Sequence, residues 1–230
     1  MKKTKIDWCD STINPVVGCS RNCPYCYAKK INDRFHITPD FSKPVFFPER
    51  LKQFESKKPK SIFINSMSDI AYWDIEWFNA VVSAIYENPQ HKYITLSKSI
   101  NGYFYQLHLF YQLHLRPTYV YSGYTATTQH QLDTLQKDYN YILETGFDFL
   151  NIEPILEPIS LEWITDPCIK MVIIGAETGN RKGKVIPKKE WIDDIVRQAD
   201  ERGIRVFMKE SLMQLMGKGF RQDKLLWRGK

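Results

Sequence analysis

MVIIGAE, residues 171–177, sets four apolar residues side by side before Gly175 and closes on Glu177. A half-exposed strand would alternate polar and apolar positions. An unbroken apolar run this short suits a strand buried on both faces, the usual condition of a parallel sheet lined by helices. Six further runs of strand character flank it: Thr12–Val17, SIFINS at 61–66, KYITLS at 92–97, TYVYSGY at 118–124, FDFLNIE at 147–153 and IRVFMKE at 204–210. Most of the intervening segments have helical period. Asp74 predicts an N-cap for a helix whose Ile75, Phe78, Val82 and Ile85 share one face, with Asn88-Pro89 stopping it. Leu132, Leu135, Tyr139 and Ile142 keep the same spacing as far as Gly146, and Ile192, Ile195, Val196 and Ala199 as far as Gly203.

This alternation predicts an α/β fold, a partial (β/α) barrel of six to seven mostly parallel strands with outer helices, since a complete eightfold barrel typically takes about 250 residues. We expect one domain over residues 1–230, with a cysteine-bearing loop at 18–27 and a basic C-terminal extension at 211–230. FYQLHLFYQLHL, residues 104–115, is a tandem duplication where the third crossover helix belongs. A six-residue step turns a helix by about 240° net, so His108 and His114 fall on different faces and make poor co-ligands.

Composition narrows the functional classes. The chain has 230 residues, 43% of them hydrophobic, and no run reaches the roughly 18 apolar residues of a membrane span. The N-terminal MKKTKIDWCDS has no apolar segment of an export signal behind its lysines, which points to the cytoplasm. The formal net charge of +6 permits a nucleic-acid or nucleotide partner without requiring one. Five cysteines are too few for a disulfide scaffold.

Three of those cysteines stand in VVGCSRNCPYCYAKK, residues 16–30, as Cys19, Cys23 and Cys26, followed by an expected helix from Tyr27 to Arg34. Three thiolates on one short loop can hold three corners of a 4Fe-4S cluster and leave one iron open. Zinc is the competing metal, with His36 as its fourth ligand, and simple packing of the thiols is the third reading. Cys9 and Cys168 read as small buried hydrophobes, Cys9 being also a reserve ligand.

The spacing C-x3-C-x-aromatic-C, with Tyr25 as the aromatic, resembles the signature of radical S-adenosylmethionine enzymes. Further segments, IDWCDSTINPVVGC, FPERL at 47–51, INSMSD at 64–69, NIEPILEPI at 151–159, VIIGAETG at 172–179 and FMKE at 207–210, resemble a phage-associated, uncharacterised three-Cys-motif family of that kind. The resemblance implies that S-adenosylmethionine binds the open iron and that an electron donor reduces the cluster. Cleavage of the sulfonium then yields a 5′-deoxyadenosyl radical that takes hydrogen from a substrate. The net charge and the resemblance put a nucleic acid or nucleotide first and a peptide next, and the alternative is a non-enzymatic iron-sulfur or zinc protein that binds nucleic acid or a protein partner. The chain departs from the superfamily where a Gly-Gly-Glu segment usually follows the second strand: it has Asn65-Ser66-Met67-Ser68-Asp69. After the fourth strand, Thr125-Ala126-Thr127 replaces an acidic residue and Asn.

The ends of the strands supply the remaining candidates. Tyr25, Asn65, Ser66, Ser68, Asp69, Glu153 and Glu177 are candidate cofactor-binding residues, and Lys98, Glu153 and Lys209 candidate catalytic ones. A carboxylate at a strand end can take hydrogen bonds from ribose hydroxyls or an amine, whereas Ser68 or Asp69 could equally cap a turn. Lys209 and Glu210 are adjacent in an extended run and point to opposite sides, and Lys209 is the one expected to face inward. Tyr72, Tyr121 and Tyr124 are candidates for stacking on a base.

Overall fold

A computed structural model describes residues 4–99, 118–137, 147–164 and 169–228. The duplicated FYQLHL segment, the second half of the helix expected to reach Gly146, and Cys168 lie outside the described residues. Nine strands and five α-helices are described. They are β1 (Ser11–Thr12), β2 (Val16–Val17), α1 (Tyr27–Phe35), β3 (Val45–Phe46), β4 (Ser61–Phe63), α2 (Ile75–Glu87), β5 (Lys92–Ser97), β6 (Val120–Thr125), α3 (Gln129–Lys137), β7 (Phe149–Ile152), β8 (Met171–Ile174), α4 (Lys189–Glu201), β9 (Arg205–Met208) and a single turn, α5 (Met213–Met216).

Seven strands form one parallel sheet in the order β1-β4-β5-β6-β7-β8-β9. Spatial order follows chain order without reversal, which is the winding of a (β/α) barrel rather than of a doubly wound sheet. The expected α/β class and partial (β/α) arrangement are thus observed. The run Thr12–Val17 is not one strand, however. Ser11–Thr12 joins the large sheet, whereas Val16–Val17 pairs antiparallel with Val45–Phe46 in a separate ribbon. Pro15, which has no N–H for a ladder, stands at the break and accepts a hydrogen bond from the Phe47 N–H on its carbonyl.

The chain packs as two compact units, residues 1–121 and 122–230. In the first, Ile62 is in register with Tyr93, and both join Ile64, Phe54 and the α2 residues Phe78, Val81, Val82 and Ile85 in one core. Each such side chain contributes about 1.5–3 kcal/mol by burial. Asp74 caps α2 by accepting the Glu76 N–H at 2.8 Å. Phe63, one residue out of phase, faces the other way and packs on Trp8, with ring centroids 4.8 Å apart.

In the second unit Phe149, Leu150, Ile152 and Met171–Ile174 are all buried, as their unbroken apolar runs require. α4 buries Ile192, Ile195 and Ala199 at helical spacing. The expected basic extension is built into this unit. Phe207 pairs antiparallel with Gln222, the Met208 N–H donates to Arg221 O, the Asp223 N–H donates to Val206 O, and Leu225 and Trp227 are buried. Its charges stand on a segment that covers the edge of β9.

Candidate functional site

The cysteine loop is held by backbone bonds on both sides. The Gly18 N–H donates to Met67 O at 3.0 Å and the Cys19 N–H to Phe41 O at 2.7 Å. Gly18 has φ +116°, and a Cβ there would lie 2.8 Å from Pro44 Cα and 3.0 Å from the Lys43 and Phe41 carbonyl oxygens. Only glycine fits so close a passage of chain. Asn14, which no local feature of the sequence singles out, bridges to the neighbouring turn: its Oδ1 accepts from the Met67 N–H and the Ser66 hydroxyl, both at 3.0 Å.

Cys26 is both a thiol of this loop and the N-cap of α1, its Sγ accepting the Lys29 N–H at 3.3 Å. Cys19, Cys23 and Cys26 are each half-buried. Burial pushes the Cys19 thiol up to about 11; a backbone N–H from Arg21 pulls the other way, and the charges of Asp69, Cys23 and Cys26 add to the rise. The Cys26 thiol is raised for the same first reason, eased by the Lys29 N–H and by the nearby Lys98 ammonium. The thiols thus sense one another's charge, and a cationic centre would offset both the burial and the mutual repulsion.

Among the described residues no group of three or more His, Cys, Asp and Glu side chains is gathered closely enough to hold a metal ion. The donor set nevertheless suits an iron-sulfur cluster: three soft thiols on one loop with backbone N–H groups directed at two of them. His36 does not suit a fourth zinc ligand. It is the exposed C-cap of α1, ten residues from Cys26 and so about 15 Å along the helix axis, beyond a shared ion. Cys9 is buried, as its reading as a small hydrophobe requires.

The INSMSD turn packs beside this loop, but its side chains are occupied in building it. Asn65 pairs with both backbone groups of Leu96, donating to O at 2.5 Å and accepting from N at 3.1 Å. Ser68 Oγ accepts the Trp73 indole N–H at 3.0 Å. Asp69 caps the following turn through the Ala71 N–H and takes the Ser97 hydroxyl at 2.7 Å and the Lys98 N–H at 2.9 Å. It is a brace between this turn and β5. Tyr27 OH donates to Ser66 O at 2.6 Å, and the Lys98 ammonium stands 5.4 Å from the centre of the Tyr25 ring. Lys98 and Tyr25 are therefore brought together with Cys26.

In the second unit, the register of β7, β8 and β9 carries Glu153, Gly175 and Lys209 into one row just past the strand ends. Lys209 Nζ donates to Glu153 Oε1 at 2.5 Å. Lys209 faces this row while Glu210 is exposed, as expected. Two residues back on the same face, Asn151 donates from Nδ2 to Thr125 Oγ1 at 3.3 Å, and its buried Oδ1 has no hydrogen-bond partner among the described residues. Neither Gly175 nor Asn151 stands out in the sequence, because their roles come from sheet register.

Glu177 is not in this row. Its side chain is 3% exposed and is gripped by Arg181 through two bonds of 2.6 and 2.7 Å, so it organises the 177–184 turn. Tyr124 is buried against Phe147, with ring centroids 5.6 Å apart, and offers no stacking face to a base. Tyr72 is exposed and Tyr121 half-buried. Among the described residues no helix is long and apolar enough to cross a membrane.

Residues 3–218 match the model of a family described as "Protein of unknown function (DUF5131)". No curated protein and no solved structure gives a significant match.

Proposed function

The chain belongs to the DUF5131 family, and from that premise we propose that it is a radical S-adenosylmethionine enzyme whose 4Fe-4S cluster is held by Cys19, Cys23 and Cys26. The observation that carries this reading is the trio of half-buried thiols on one loop, from which α1 leads His36 away. Such a set grips a cluster at three corners and leaves the fourth for a ligand. When bound, the cluster would supply the electron for reductive cleavage of S-adenosylmethionine and so the radical chemistry that removes hydrogen from a substrate.

The chain's own residues supply placement and electrostatics. Gly18 and Asn14 fix the loop against the turn at residues 65–69. Asp69 positions the backbone at Lys98, whose ammonium lies over Tyr25 and lends positive charge to the Cys26 thiolate. Separately, in the second unit, Glu153 and Lys209 present a carboxylate and an ammonium to a polar ligand. The charge balance of +6 favours a nucleic acid or nucleotide as substrate.

Anaerobic reconstitution tests the reading. About four irons with labile sulfide per chain are expected, together with 5′-deoxyadenosine on reduction in the presence of S-adenosylmethionine. One zinc per chain and no iron would overturn it.

A further inference from the structure

α1 carries three exposed apolar side chains at four-residue intervals: Tyr27 at 48%, Ile31 at 36% and Phe35 at 64%. At 100° per residue they span about 80° of the helix surface. Ala28 and Asn32 occupy the adjoining buried sector, so the stripe is an apolar ledge at the rim of the packed face. On its solvent side lie Lys30 and Arg34, the latter with its guanidinium 5.2 Å from the Phe35 ring centre. Farther round, Lys29 is neutralised by Asp33 at 2.7 Å. The helix ends held in place, for Asn32 bonds Thr38 three ways past the His36 cap. Tyr27 is tied through its hydroxyl to Ser66 O, while its ring, Ile31 and Phe35 stay exposed on a well-anchored helix, and contiguous exposed apolar patches mark sites of association.

We propose that this face of α1 is the docking surface for a small acidic one-electron carrier protein that reduces the three-cysteine centre. The inference rests on the function proposed above, since it needs a redox centre behind the loop. Cys26 is itself the N-cap of α1, so a partner seated on the first turns of the helix stands beside the centre that it serves. Redox encounters bury small areas, with an apolar middle and a charged rim that steers approach. The ledge has that composition: Tyr27, Ile31 and Phe35 in the middle, Lys30 and Arg34 at the edge. A nucleic acid fits less well. Sites on polyanions collect many phosphate contacts, and here one lysine of the helix is already paired with Asp33, which leaves two cations beside an apolar centre of two aromatic rings and one isoleucine. In the transfer, one electron leaves the carrier, which is oxidised, and enters the centre, which is reduced; no bond is made or broken.

The test compares two reductants on the anaerobically reconstituted full chain, following bleaching of the cluster absorbance: a reduced acidic flavodoxin and dithionite. Lys30→Glu, which leaves a new (i, i+4) pair with Arg34 and so preserves the helix, and Phe35→Ser are the variants. At low salt each is expected to slow reduction by the flavodoxin about tenfold and to leave the dithionite rate unchanged. Equal rates with the flavodoxin for variants and parent would overturn the docking surface, as would an equal loss with both reductants or loss of oligonucleotide binding in place of the flavodoxin effect. If the parent chain forms no cluster at all, the proposed function fails first, before any carrier is added.

Discussion

Lys209 and Glu153 meet over Gly175. They stand on β9 and β7, the two neighbours of β8, so their backbones are about 9.5 Å apart by strand spacing, yet Nζ and Oε1 are 2.5 Å apart. The side chains close that gap because Gly175 presents none. A Cβ there would lie 3.0 Å from Lys209 Cδ and 3.1 Å from Glu153 Cγ and Cδ. Gly175→Ala is expected to destabilise by about 1–3 kcal/mol through overpacking, and by less in a Lys209→Ala background. Urea denaturation of the double-mutant cycle measures this, and losses that add within about 0.5 kcal/mol would show that the alanine does not act on the pair.

Gly18→Ala meets backbone instead of flexible side chains, at 2.8 Å from Pro44 Cα, and demands a positive φ as well. The expected loss is about 2–4 kcal/mol, with less iron retained after anaerobic reconstitution. Gly203→Ala is the control: φ is +66° but nothing lies within 4 Å, so about 1 kcal/mol is expected. Similar losses at the two positions would mean that the loop can shift at Gly18.

The strands could be read from sequence because their signal is local. MVII is wholly apolar and KYITLS is rich in strand-favouring Tyr, Ile and Thr, and each is a strand of the parallel sheet. What escaped reading came from contacts across long separations. Asn14 lies 52 residues from Ser66, and nothing in its neighbours announces that partner. Val45–Phe46 is too short for any period and owes its strand geometry to Val16–Val17. The cysteines were legible because the loop's chemistry is contiguous in sequence. Glu177 could have been assigned to Arg181 by its four-residue offset, but a carboxylate at a strand end drew attention to ligands instead.

Asp69 distinguishes a brace from a ligand contact. Its two oxygens take an N–H from Ala71, a hydroxyl from Ser97 and an N–H from Lys98. Asp69→Asn replaces one acceptor by a donor that faces a donor, so about 1–3 kcal/mol of stability is expected to go. Differential scanning calorimetry of the metal-free chain reads this without any cofactor. An unchanged transition would remove the bracing role and return Asp69 to the candidates for direct contact.

The segment that covers β9 should lose stabilisation in acid. Hydrogen bonds from Arg221 hold the Asp223 carboxyl below the usual carboxylate range, with the Val206 N–H contributing. A carboxyl whose folded value is depressed binds fewer protons folded than unfolded, so its stabilisation is complete above the unfolded value of about 3.9 and is lost as pH falls through the folded one. Arg221→Gln removes the main cause and also the contact to Asp200. The variant is expected to be less stable at pH 7, with the gap to the parent narrowing below about pH 4 as the Asp223 carboxyl protonates. Urea midpoints measured from about pH 2.5 to about pH 7 suffice to see it, and a gap that stays constant into acid would show that Asp223 draws no stability from Arg221.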